Sequence, residues 1–153
     1  LATPATVASA AYSASIEALH PGAHVVEQAC PAFVPLIEAG DFSSDELRQV
    51  AKVYLEPLLA ASVETIVLGC THYPLLIPLL KQLLPDAIQL VDPALGVARQ
   101  LDAVLGVPRS TPGDTLELGQ CRFCVTADPD GFANRATPWL GARPEVHLQR
   151  LQS

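Results

Sequence analysis

The sequence has 153 residues, half of them hydrophobic and 16% charged. That composition suits one ordinary domain, or parts of two, with a substantial core, and it argues against disorder. The net charge of −7, with nine scattered Lys and Arg, excludes nucleic acid or an anionic membrane as the main expected partner.

No apolar run approaches the roughly 18 residues that suggest a membrane span. The start, LATPATVASAAY, lacks the basic region of a signal peptide. Four cysteines are too few for a disulfide scaffold, so a reduced, cytoplasmic setting is expected. Methionine is absent throughout. With Leu1 to Thr3 reading as the end of a strand, the sequence is expected to be a fragment whose N-terminal part is missing.

In chain order, Thr3-Pro4 reads as a hydroxyl cap followed by a proline at the first helical position. The spacing of Val7, Ala11, Ile16 and Leu19 predicts a helix over 5–19, stopped by His20-Pro21-Gly22. A short strand follows over 23–29. Cys30-Pro31 then opens a short helix over 32–39, closed by Gly40. Ser43 and Glu46 fit a capping box for a helix running to about Ala61. Its expected buried face carries Leu47, Val50, Val53, Tyr54 and Leu58, and Pro57 should kink or break it.

Glu64 to Leu68 is the next strand. It leads into Gly69-Cys70-Thr71-His72-Tyr73-Pro74, and an apolar helix-like run over 75–84 leads away. Further strands are predicted at 88–91, 123–126 and 146–151. Helices are predicted at 94–105 and 131–140, each following an Asp-Pro junction, with a loop over 106–120. Strands and helices alternating at this spacing predict an α/β fold with a parallel sheet. In such folds ligands bind beyond the carboxyl ends of the strands.

Cys70 sits at such a strand end. A helix N-terminus favours an anionic thiolate, and His72, two residues on, can stabilise that thiolate or pass a proton. A lone cysteine is more often a buried structural residue. Its neighbours, Gly before and Thr-His-Tyr-Pro after, turn the balance toward chemistry.

Those neighbours carry a resemblance. GCTHYPLL at 69–76 resembles the second cysteine motif of the glutamate racemases, a group within the aspartate/glutamate racemase family. LATPATVASAAY at 1–12, CPAFVPLIEAG at 30–40 and VDPA at 91–94 resemble three further segments of the family, in the same order. The resemblance implies a two-domain α/β architecture with its site between the domains. Residues 1–92 would form most of the second domain, and 93–153 the return that completes the first.

It also implies a cofactor-independent, metal-free interconversion of L- and D-glutamate by two cysteines, supplying D-glutamate for the cell wall. Cys70 would take the α-proton from L-glutamate, with His72 assisting and Glu38 near that histidine. Thr71, the His72 backbone, Thr3 and Thr6 would hold the substrate. A homodimer is a possible assembly. The family's Asp-Ser-Gly loop and its first cysteine, in a Cys-Asn-Thr motif, have no counterpart here, so these 153 residues alone are expected to be inactive and poorly stable. Another cysteine-based racemase, such as one for aspartate or hydantoins, or a non-catalytic ligand-binding domain, remains the alternative; His72 after Cys-Thr favours glutamate.

Other candidates read as structural. Cys121 and Cys124 have CxxC spacing, but on a strand positions i and i+3 face opposite sides. His20, His24 and His147 are expected at the surface, Tyr73 in the packing, and Trp139 between the last helix and the sheet.

Overall fold

The computed structural model describes residues 1–106 and 118–151. The chain forms two compact units, Leu1–Val107 and Pro108–Ser153. In the first, β1 (Thr65–Val67) pairs in parallel with β2 (Gln89–Val91), with Ile66 opposite Leu90. Ala2 adds the next neighbour, forming parallel bridges to Gly69 on one side and Ala29 on the other. The bonds run Gly69 N–H to Leu1 C=O (2.8 Å), Ala2 N–H to Gln28 C=O (3.0 Å) and Cys30 N–H to Ala2 C=O (2.9 Å). Thr3, Cys30 and Cys70 therefore leave the sheet at one edge, the carboxyl end of parallel segments.

The core of this unit gathers Phe33 and Ile37 from α3 (Phe33–Glu38) and Leu47, Ala51, Leu55 and Leu58 from α4 (Asp45–Ala60). Ile66 and Leu68 come from the β1 segment, and Tyr73, Leu76, Leu79 and Leu80 from the chain that follows it. The 4-4-3 spacing on α4 keeps one apolar stripe against the sheet.

Several boundaries differ from the sequence reading, each for a local reason. The helix expected over 5–19 is two, α1 (Pro4–Ala8) and α2 (Ala11–Leu19). Between them Ser9 Oγ donates to the Thr6 carbonyl (2.7 Å), and Ala10 turns left-handed at φ +50°. Hydroxyl side chains compete in this way with helical backbone bonds. The strand expected over 23–29 shrinks to the bridge at Ala29, because only Ala2 lies alongside it to share a ladder.

The α4 cap is Ser44, not Ser43: Ser44 Oγ accepts from Leu47 N–H at 3.0 Å. Asp41 Oδ1 accepts from both Ser43 N–H (3.2 Å) and Ser44 N–H (2.9 Å), and Oδ2 accepts from the Ser44 hydroxyl. That Asx turn spends Ser43 on the approach and moves the cap on by one residue. Pro57 neither breaks nor ends α4, which runs on to Ala60. The carbonyl it leaves without a helical donor belongs to Val53, which is 62% exposed rather than on the buried face, so water can serve it.

The apolar run over 75–84 is also divided. A 3₁₀ turn at Tyr73–Leu76 precedes α5 (Ile77–Leu83). The last helix of the first unit, α6 (Ala94–Leu105), has the predicted bounds, and Asp92 Oδ1 accepts from Ala94 N–H at its start (2.9 Å).

In the second unit β3 (Phe123–Val125) and β4 (Val146–Leu148) pair in parallel, connected through α7 (Pro129–Leu140). Asp128 caps α7, accepting from Gly131 N–H at 2.9 Å. Phe132 packs on Phe123, their ring centroids 6.2 Å apart. Trp139 on α7 is 44% exposed, so more than half of its surface is covered. The predicted loop over 106–120 lies largely outside the described residues. Among the described residues no helix is long and apolar enough to cross a membrane.

Two outcomes follow from this packing. Leu47 is fully buried, so Leu47→Ala should cost about 2–5 kcal/mol in urea unfolding, whereas Leu101→Ala on exposed α6 should change little. The hydroxyl and N–H donors around Asp41, chiefly Ser44, hold its carboxyl below the usual carboxylate range. A lowered folded pKa adds stability that is present above the unfolded value, about 3.9, and lost as pH falls through the folded one. Acid titration of the melting temperature should therefore show a smaller drop in Asp41→Asn than in the parent chain.

Candidate active site

The site grows from Gly69. A Cβ there would stand 2.9 Å from the Tyr12 ring and 3.0 Å from the Leu1 carbonyl, so only glycine lets strand β1 meet Leu1 and Tyr12 this closely. Beyond it the chain leaves the sheet in a tight turn, with Tyr73 N–H donating to the Cys70 carbonyl (3.1 Å) and Leu75 N–H to the His72 carbonyl (3.1 Å). Cys70 and His72 are half-buried on this turn, and Thr71 is exposed between them.

Three predicted residues form one line. Cys70 Sγ lies 3.9 Å from His72 Nδ1, and His72 Nε2 lies 2.7 Å from Glu38 Oε1. Glu38 reaches the histidine from the last residue of α3. The side chains of His72 and Glu38 are 33% and 44% exposed. In such surroundings an ion pair contributes little stability, about 0–1 kcal/mol. Its value is orientation: a carboxylate accepting from Nε2–H leaves Nδ1 with a lone pair facing the thiol. The arrangement can move a proton between Cys70 and His72.

The thiolate was expected to face the start of an α-helix. Instead a four-residue 3₁₀ turn intervenes before α5 begins at Ile77. Among the described residues the thiol has the His72 imidazole as a polar partner at 3.9 Å, rather than a long helix dipole.

Thr3 and Thr6 sit at the same sheet edge but bond to each other. Their hydroxyl oxygens are 2.9 Å apart, and Thr3 Oγ1 caps α1 by accepting from Thr6 N–H (3.3 Å). A cavity of about 770 Å³ lined by Tyr12, Ile16, Val25, Ile66 and Val67 touches none of Cys70, His72 or Glu38.

The other cysteines differ in kind. Cys30 is 1% exposed, and burial pushes its thiol up to about 12, so it stays protonated and inert. Cys121 is half-buried and Cys124 exposed. Among the described residues no group of three or more His, Cys, Asp or Glu is placed to hold a metal ion. His20, His24 and His147 are exposed, as expected.

Sequence reasoning gave Tyr73 only a packing role. Its ring is buried and its hydroxyl donates to the Cys30 carbonyl at 3.2 Å. Its place directly after His72 was the available signal.

The Asp/Glu/Hydantoin racemase family model matches residues 1–101. A glutamate racemase of Synechococcus sp. (strain CC9605) is 73% identical over 99% of the chain, which covers 58% of that protein. The crystal structure of the Francisella tularensis glutamate racemase in complex with D-glutamate is 29% identical with a TM-score of 0.78, covering 99% of this chain and 56% of that one. A Bacillus anthracis glutamate racemase isoform is 27% identical with a TM-score of 0.81, covering 95% of this chain and 54% of that one. The chain thus spans a little over half the length of these relatives. With the fold, the sheet-edge cysteine and these matches in agreement, this chain belongs to the Asp/Glu/Hydantoin racemase family.

Proposed function

We propose that the protein to which this chain belongs interconverts L- and D-glutamate without a cofactor, as a cytoplasmic isomerase serving cell-wall synthesis. The observation that carries this reading is the line from Cys70 through His72 to Glu38 at the carboxyl edge of a parallel sheet. The names of the relatives support glutamate as substrate, and the complex with D-glutamate is one of them.

An α-proton must leave one face of the substrate and return on the other. One base on one face would tend to replace the proton where it was taken, so two bases are needed. In this reading Cys70 takes the proton from L-glutamate. His72 accepts the thiol proton through Nδ1, and Glu38 holds the ring through Nε2. Thr71, the His72 backbone, Thr3 and Thr6 supply N–H and hydroxyl groups to the substrate carboxylates and to the charge that develops at Cα.

The second base is a separate thiol. Cys30, buried and held neutral, is unsuited to be it. Residues 1–92 are proposed as most of one domain and 93–153 as the return to the other, with a homodimer as the assembly.

The test separates the two roles. The 153-residue chain should give no steady L-to-D conversion by chiral chromatography. The whole protein should convert glutamate in both directions, and Cys70→Ala should lower that rate by at least about 100-fold, the scale of losing one acid–base group. Equal rates in Cys70→Ala and the parent protein would overturn the proposal.

A further inference from the structure

Residues 72 and 73 are neighbours in sequence, yet they reach opposite ends of the same short helix. His72 bonds Glu38, the last residue of α3. Tyr73, fully buried, donates its hydroxyl to the carbonyl of Cys30 at 3.2 Å. That same carbonyl accepts from Phe33 N–H at 3.3 Å, the first residue of α3. The Tyr73 ring also stands edge-on to Phe33, with centroids 5.3 Å apart, and Phe33 in turn meets Tyr54 edge-on at 5.1 Å. Tyr54 closes the cluster by accepting from Ala32 N–H at 3.2 Å.

A single contact leaves a turn free to pivot, whereas two contacts at separate points fix its direction. Six residues of helix span about 9 Å, so the two anchors are well apart. The outer anchor is half-exposed and weak in energy. The inner one is buried, where an unmade hydroxyl bond is costly. Displacing the turn would therefore cost the buried inner bond as well as the outer one. We propose that Tyr73 is a positioning residue for the proton relay, its hydroxyl on the Cys30 carbonyl fixing the turn so that His72 meets Glu38 and Cys70 together. The inference rests on the relay proposed above.

The titratable groups around this turn are few. His72 faces Cys70 and Glu38. Tyr73 feels Cys30, Cys70 and Tyr54, and burial keeps its phenol protonated throughout the working range.

Iodoacetamide alkylation of Cys70 in the whole protein, followed by mass spectrometry of its peptide from pH 5 to 10, tests the inference. In the parent chain Cys70 should react faster at pH 7 than in the urea-unfolded chain. Tyr73→Phe, which keeps the ring and removes the hydroxyl, should lower that rate about fivefold, the scale of one lost hydrogen bond, and move the profile toward the unfolded one. Tyr54→Phe removes a bond from the same cluster away from the turn. It should reduce thermal stability and leave the Cys70 profile in place, which a merely structural role for Tyr73 would also predict of Tyr73→Phe. An enhancement in the parent chain that survives Tyr73→Phe overturns the clamp alone. A parent Cys70 no faster than the unfolded thiol overturns the relay and the clamp together. Should Tyr73→Phe fail to fold by near-UV circular dichroism, hydroxyl-proton exchange at Tyr73 in the parent chain decides: slow exchange supports the clamp, and exchange at the rate of a free phenol overturns it.

Discussion

The pairing of Ala2 with Ala29 on one side and Gly69 on the other is the constraint on which the site depends. A single short segment lies between two others, all parallel, so three chain ends emerge together. Thr3 begins a helix there, Cys30 leads toward another, and Cys70 opens a turn. None of these residues is near the others in sequence. The close approach at Gly69 is what permits the pairing, since any side chain would meet the Tyr12 ring and the Leu1 carbonyl. The chemistry is thus placed by backbone hydrogen bonds and one missing methyl group.

Cys30 and Cys70 show how burial sorts two identical side chains at one sheet edge. Cys30 turns inward, is 1% exposed, and its thiol is pushed up to about 12. Such a thiol is a small apolar residue at neutral pH. Cys70 is half-buried with an imidazole at 3.9 Å. The charged groups around it are partly solvated, so they add little to folding. Core residues such as Phe33, Leu47 and Tyr73 carry the stability, and the polar line is left free to orient a proton.

The elements with strong periodicity or Asp-Pro starts were legible: α6 has its expected bounds, and β1, β2 and β3 lie inside theirs. The losses have physical causes. Asp41 claimed Ser43 and passed the cap to Ser44. Ser9 broke a helix whose Ala-rich pattern carries no trace of the break. The segment over 23–29 reads as strand because Val25 and Val26 favour one, yet a ladder needs a neighbour. Cys70, His72 and Glu38 were singled out from their motifs, while the 34-residue separation of Glu38 and His72 hid the geometry. The structural part of Tyr73 was hidden for a related reason: a buried ring looks like packing until the partner of its hydroxyl is known.

The central claim is that His72 stands with Nε2–H toward Glu38 and a lone pair on Nδ1 toward Cys70. Nitrogen-15 NMR of the His72 ring, taken at a pH where the imidazole is neutral, measures that tautomer directly. The account predicts a protonated Nε2 and an unprotonated Nδ1. A neutral ring protonated on Nδ1 would have no lone pair to accept the thiol proton and would contradict it.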